Sequence, residues 1–183
     1  MELNRLLLFT TFLLHIKPSR MSPMGLICDQ RLIQKYVLEA VALEDKVSHC
    51  GELPLLQQPV HLPLVGFNPR DWMAKTNQAK GLEVLRDLAK LVDGTAAAQR
   101  GLQPGCAFAL LQQLYEKAST FLLQLRNFEW QEQDSTRQPE EDSQLIPERN
   151  LRTIFQTYKQ LVRGKLRLLF HDLWKDSCGG DHG

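Results

Sequence analysis

Apolar residues recur at steps of three and four in four stretches of the chain, the spacing that lines one face of an α-helix. The first starts at Asp29, whose carboxylate suits an N-cap, and carries Leu32, Ile33, Tyr36, Val37, Ala40, Leu43 and Val47 to about Ser48. The second, over 69–99, opens on Asn68, Pro69 and Asp71 and puts Leu82, Leu85, Leu88, Ala89, Val92 and Ala96 on one stripe before Gly101. The third, over 104–128, follows Pro104 with Leu111, Leu114, Tyr115, Ala118, Phe121, Leu122, Leu125 and Phe128. The fourth, over 147–175, begins at Pro147, a residue favoured in a first helical turn, and repeats Leu151, Ile154, Phe155, Tyr158, Leu161, Val162, Leu168 and Leu169. No period-two alternation runs over comparable lengths, so the pattern predicts an all-α fold of four helices.

The connections set the expected topology. Residues 49–68, with Gly51, Pro54, Pro59, Pro63 and Gly66, and residues 129–146 are long; between the second and third helices lie only residues 100–105. A short link forces antiparallel neighbours, and a long one can run the length of a bundle. The expectation is an up-up-down-down four-helix bundle with two long crossover loops.

Ahead of the helices, Arg5 precedes the apolar run Leu6 to Leu14, too short to span a bilayer and suited to the core of an export signal. Lys17, Pro18, Ser19 and Arg20 stop it. Residues 1–21 read as a signal peptide and 22–183 as one helical domain, with no later run long enough for an anchor: a secreted, extracellular product without membrane insertion.

Export changes the meaning of the four cysteines, Cys28, Cys50, Cys106 and Cys178, because in an oxidising compartment an even set forms bridges. In the expected topology Cys28 and Cys178 share one end of the bundle, Cys50 and Cys106 the other. A helix rising about 1.5 Å per residue keeps the two ends roughly 30 Å apart, far beyond disulfide reach. The pairing predicted is Cys28–Cys178 and Cys50–Cys106. An alternating up-down-up-down bundle would strand Cys50.

Composition narrows the function. A hydrophobic share of 43% fills one core, and a net charge of +1 gives no reason to expect nucleic acid. His49 adjoins Cys50, but that thiol is committed to a bridge; His61, His171 and His182 lack metal-ligand spacing, and no phosphate loop or HExxH motif occurs. Neither enzyme nor metal site nor cofactor is expected. Asn4, Asn68, Asn77, Asn127 and Asn150 all lack a glycosylation sequon. A secreted helical carrier sheltering an apolar ligand is an alternative the residues admit.

Charge is segregated. Residues 148–175 carry seven Lys and Arg against Glu148 and Asp172, net +5, whereas 129–142 carry six acids against Arg137, net −5. Helical phasing puts Arg152, Lys159, Arg163 and Arg167 opposite the apolar stripe, as a basic strip. Lys165 conflicts with that strip. Its phase places it inward between Leu161, Leu168 and Leu169, so it must pair with an acid, snorkel, or sit where Gly164 disturbs the helix.

The run Leu26-Ile27-Cys28-Asp29-Gln30-Arg31-Leu32 and the run Leu161-Val162-Arg163-Gly164-Lys165-Leu166-Arg167 together resemble the erythropoietin and thrombopoietin family of four-helix haematopoietic cytokines. In that family the second bridge either stays within a short stretch after the first helix or ties that region to the third helix; Cys106 is similar to the second, thrombopoietin-type arrangement. Trp72 and the run Ala97-Ala98-Gln99-Arg100-Gly101 add to the likeness. The mammalian tail rich in Pro, Ser and Thr has no counterpart, since the sequence stops five residues after Cys178, and a bare cytokine domain is expected.

The resemblance implies a monomeric hormone that brings together two chains of a class I cytokine receptor, the thrombopoietin receptor first and the erythropoietin receptor as the alternative, to promote megakaryocyte and thrombocyte growth. It implies a first receptor site on the fourth helix, with Arg163 and Arg167 as contacts, Gln156, Lys159 and Gln160 at the margin, and Lys165 marked by the motif. A second site is implied on the first and third helices, at Asp29, Arg31, Lys35 and Lys117. The family's arginine on the third helix is Ser119 here.

Overall fold

The computed structural model describes residues 23–128, 130 and 144–178; the expected signal peptide and most of the acidic connection lie outside them. After a short helix α1 (Pro23–Cys28), α2 spans Gln30–Ser48, with the Asp29 carboxylate accepting the Arg31 amide at 3.0 Å. Then come β1 (Leu55–Pro63), α3 (Pro69–Ala74), α4 (Asn77–Arg100) and α5 (Cys106–Arg126). β2 (Leu145–Asn150) leads into α6 (Leu151–Leu161), a single π-turn at Val162–Leu166, and α7 (Arg167–Cys178).

Two disulfides fix the directions of the helices. Cys28–Cys178 joins the start of the first long helix to the end of the last, with Cα atoms 5.8 Å apart. Cys50–Cys106 joins the end of α2 to the start of α5, at 5.7 Å. So α2 runs antiparallel to both α5 and α6–α7. The five residues between α4 and α5 make those two antiparallel as well. The result is the up-up-down-down bundle that the connection lengths predicted. The bridges close loops of 150 and 56 residues, and each contributes roughly 2–5 kcal/mol by restricting the unfolded chain.

The core is drawn from all four long helices: Val37, Ala40, Leu43 and Val47 of α2, Leu88 and Leu91 of α4, Leu111, Leu114, Phe121 and Leu125 of α5, and Ile154, Phe155, Tyr158 and Leu161 of α6 are all buried. Tyr36 and Phe121 pack with ring centroids 4.3 Å apart, and Phe121 stacks on Phe170 at 5.7 Å, which ties α2, α5 and α7 together.

The structure corrects the sequence pattern in four places. The second segment is two helices rather than one, because the Thr76 hydroxyl accepts the Ala79 amide at 3.1 Å and starts α4 afresh after Lys75. The buried face of α4 is rotated from the apolar stripe: it consists of Val84, Leu88, Leu91 and Ala98 with Lys80, Asp87 and Thr95, while Leu82, Leu85, Ala89, Val92 and Ala96 are only half-buried. Those three polar side chains have internal partners, which makes their burial tolerable. The third helix begins at Cys106, behind Gly105, rather than at Pro104.

The fourth correction is a two-stranded antiparallel ribbon between the long connections, with His61 opposite Pro147 and Pro63 opposite Leu145. Pro147 therefore lies in a strand, and the helix begins at Leu151. Glu148 Oε1 accepts the amides of Arg149 and Asn150 at 2.8 and 2.7 Å, turning the chain, and Asn150 caps α6 through the Arg152 amide at 2.9 Å. Strand alternation is hard to see in so short a segment, where β1 has two prolines and β2 one. The ribbon lies across α4, close enough at Gly94 that a Cβ there would meet the His61 carbonyl oxygen at 3.0 Å.

Candidate functional site

The π-turn of the last helix organises the basic strip. One extra residue per turn, together with Gly164 at φ −95° and ψ −106°, shifts the phase of everything after it. Val162, Lys165 and Leu166 point into the core, while Arg163 and Arg167 stand exposed on the outer side. Among the described residues neither arginine has an ion-pair or hydrogen-bond partner for its guanidinium.

Two contacts brace the bend. From outside, the Phe67 ring on the first crossover lies over Gly164, where an added Cβ would meet Phe67 Cε1 at 3.1 Å, and Phe67 packs against buried Trp72 with centroids 5.2 Å apart. From inside, the Lys165 ammonium, only 3% exposed, donates to Asp87 and to Glu83 of α4, both at 2.7 Å. Lys75 also donates to Glu83, so the set is two ammonium groups against two carboxylates.

The electrostatics follow from burial. Loss of water pulls the Lys165 ammonium down, but its hydrogen bonds to Asp87 and Glu83 outweigh that and hold it above the ordinary lysine value. Burial pushes Asp87 up from the usual carboxylate value, with Lys165 opposing. At Glu83 burial also pushes upward, yet Lys165 and Lys75 together carry it below the ordinary glutamate value. Lys165 is charged, paired and internal. It does not join Arg163 and Arg167 on the exposed strip, and two of the three resolutions of the sequence conflict, an acid partner and a disturbed helix, both occur.

Of the other fourth-helix residues, Gln160 is exposed and Gln156 half-buried on the same side as Arg163. Lys159 is turned aside, donating to Glu44 of α2 at 2.7 Å, so it ties α6 to α2 instead of facing solvent freely.

On the first and third helices, Asp29 is engaged in capping, and Arg31 and Lys35 are exposed one helical turn apart. Lys117 of α5 donates to Glu39 of α2 at 2.7 Å, and Lys35 lies 4.0 Å from the same carboxylate. Glu39 thus gathers both lysines at the groove between the helices. The Tyr36 hydroxyl, also lining the groove, donates to Gln124 at 3.2 Å. Ser119 turns its hydroxyl inward, where it is buried without a partner among the described residues, so that position presents no charge.

Several residues of these surfaces escaped the sequence reading. Leu38 and Leu123 are 60% and 63% exposed on the outer faces of α2 and α5, and the signal available was their position off the apolar stripe. Phe67 gave no periodic signal, because its contact with Gly164 spans most of the chain. Among the described residues no helix is long and apolar enough to cross a membrane.

A family model described as erythropoietin/thrombopoietin matches residues 25–179. The chain is similar to thrombopoietin of Rattus norvegicus, 31% identical over 169 residues that cover 92% of this chain and 50% of that protein. Thrombopoietin of Canis lupus familiaris is 32% identical, with coverage of 92% and 46%. Erythropoietin of Nannospalax galili is 29% identical over 155 residues, 80% of this chain and 81% of the relative. The chain therefore spans about half the length of the thrombopoietins it matches.

Proposed function

Because the chain belongs to the erythropoietin/thrombopoietin family, we propose that it is a secreted thrombopoietin-like hormone that draws two class I cytokine receptor chains together and so promotes megakaryocyte and thrombocyte growth. In this reading residues 1–21 are the export signal and residues 22–183 the hormone. The fourth helix forms the first receptor site, centred on Arg163 and Arg167 with Gln156 and Gln160 beside them. Lys165 supports that site from within, and Lys159 does so from its pair with Glu44. Arg31, Lys35 and Lys117, around the α2–α5 groove with Asp29 at its helix start, belong to a second site on a different side of the bundle.

The observation that carries the reading is the braced bend, which presents two guanidinium groups unpartnered among the described residues on a rigid element while neighbouring lysines are neutralised internally. Unpaired arginines on a fixed scaffold suit an interface anchor, since little ordering remains to be done on binding. The bridge from Cys50 to Cys106 supports the thrombopoietin-type branch over the erythropoietin-type one.

The mechanism is non-covalent. The first site binds one receptor chain, the second recruits another, and their proximity starts the signal inside the cell. Binding and signalling measured on cells that express the thrombopoietin receptor or the erythropoietin receptor alone test this directly. Response through the erythropoietin receptor only would replace the branch, and response through neither would remove the reading.

A further inference from the structure

The last helix carries more exposed positive charge than a receptor anchor requires. Arg152 and Arg163 are three turns apart on one face, and Arg163, Arg167, His171 and Lys175 follow at steps of four, all exposed. The row runs from the start of α6 to the last turn of α7, roughly 35 Å at 1.5 Å per residue.

Three acids near the row have polar partners outside it. Asp172 accepts from Lys80 of α4 at 2.8 Å, Asp176 accepts from Asn77 at 2.6 Å, and Glu44 holds Lys159 at 2.7 Å. His171 Nδ1 is 3.7 Å from Asp172. Arg152, Arg163, Arg167 and Lys175 have no side-chain charge partner among the described residues. The chain as a whole carries a net charge of only +1, so the row is a local concentration of positive charge.

We propose that this row binds a linear sulfated polysaccharide of the heparin class, a site distinct in extent from the receptor contacts though it overlaps them at Arg163 and Arg167. It rests on the extracellular reading made above. A row of separated cations on a convex helix face matches an extended chain of anions better than a compact one, since each cation meets a new anionic group along the chain. Guanidinium forks suit sulfate oxygens as they suit phosphate. A protein receptor concentrates its affinity in a few clustered residues; a linear polyelectrolyte draws comparably on every cation it covers and loses affinity steeply with salt. Binding there would hold the hormone at cell surfaces and matrix, with contacts at the central Arg163 and Arg167 exchanged for receptor.

The test is retention of the purified chain on immobilised heparin and, in parallel, affinity for the receptor ectodomain. The wild-type chain is expected to stay bound at about 0.15 M NaCl. Arg152→Glu and Lys175→Glu should each weaken heparin binding roughly fivefold, the scale of one cation against an anionic surface, as should Arg163→Glu and Arg167→Glu. Charge-matched reversals on other helices, Lys90→Glu and Arg126→Glu, should have little effect. Lys175→Glu should leave receptor affinity unchanged, which separates this site from the receptor reading. If receptor binding is absent while the heparin pattern holds, the functional reading fails and this one stands. Loss of retention at 0.15 M NaCl, equal losses from the control reversals, or sensitivity confined to Arg163 and Arg167 would each overturn the proposal. So would retention on double-stranded DNA as strong as on heparin.

Discussion

Lys165 on the π-turn donates to Asp87 on α4 at 2.7 Å, and both side chains are less than 6% exposed. A buried pair of this kind costs much to form and more to break, since removing one partner strands the other charge away from water. Lys165→Met should destabilise the chain by about 3–5 kcal/mol in urea unfolding, with Asp87 and Glu83 left facing an apolar thioether. The double variant Lys165→Met with Asp87→Leu should recover a large part of that loss. A single variant within ~1 kcal/mol of wild type would mean that water reaches the pair.

The same lysine and Tyr158 should make the fold lose stability in alkali. Tyr158 is fully buried and its hydroxyl has no partner among the described residues. Burial, first of all, pushes its ionisation well above the ordinary 10.0. Lys165 is likewise held above its ordinary 10.5 by its carboxylate partners, which outweigh its burial. Each group keeps its proton to higher pH in the folded chain than in the unfolded one, so unfolding releases protons in alkali. Stability from these groups is complete below about pH 10 and falls as pH rises beyond it, by up to about 1.4 kcal/mol per unit per group. Tyr158→Phe should flatten that decline. It should also raise the melting temperature at pH 7 by a few degrees, because an unpaired buried hydroxyl costs ~1 kcal/mol or more. A thermal scan series from pH 7 to 11 checks both; an unchanged alkaline slope in the variant would show that Tyr158 is not the group responsible.

Gly94 tests the seat of the ribbon. In a free helix, exchanging glycine for alanine gains about 1 kcal/mol. Here the new methyl would lie 3.0 Å from a backbone carbonyl of β1 and 3.1 Å from Leu62, and backbone yields less readily than a side chain. Gly94→Ala should therefore lose about 1 kcal/mol or more net. Gly101→Ala, whose nearest atom would be the Ala98 oxygen at an ordinary 3.6 Å, serves as the comparison and should be near neutral.

These features differ in how far the sequence announced them. The bundle, its direction and its bridges were legible because each rests on long periodic runs, connection lengths and the four cysteines, all local or countable. The ribbon was not, since β1 and β2 are short, proline-bearing and paired across residues more than eighty positions apart. The buried face of α4 was misplaced for the same kind of reason: Lys80, Asp87 and Thr95 look like surface residues until Asp172, Lys165 and the Leu91 carbonyl are brought to them. On the fourth helix the phase of Arg163 and Arg167 could be read directly. Phe67 above Gly164 could not, because nothing local links that aromatic to the bend.

Arg163 and Arg167 give the most direct test of the proposed function. Reversing both to glutamate changes only exposed groups that have no partner among the described residues, so the helix content and melting temperature should stay close to wild type. Receptor affinity should instead fall by several kcal/mol, a hundredfold or more, because attraction at an anchor becomes repulsion. Lys159→Glu offers a contrast within the same helix. It breaks the tie to Glu44 and places two acids together, so its cost, about 1 kcal/mol at this half-exposed pair, should appear in stability first and in affinity only secondarily. Surface plasmon resonance alongside thermal unfolding separates the two effects. If the double arginine reversal leaves affinity unchanged while the protein remains folded, the receptor face lies elsewhere on the bundle.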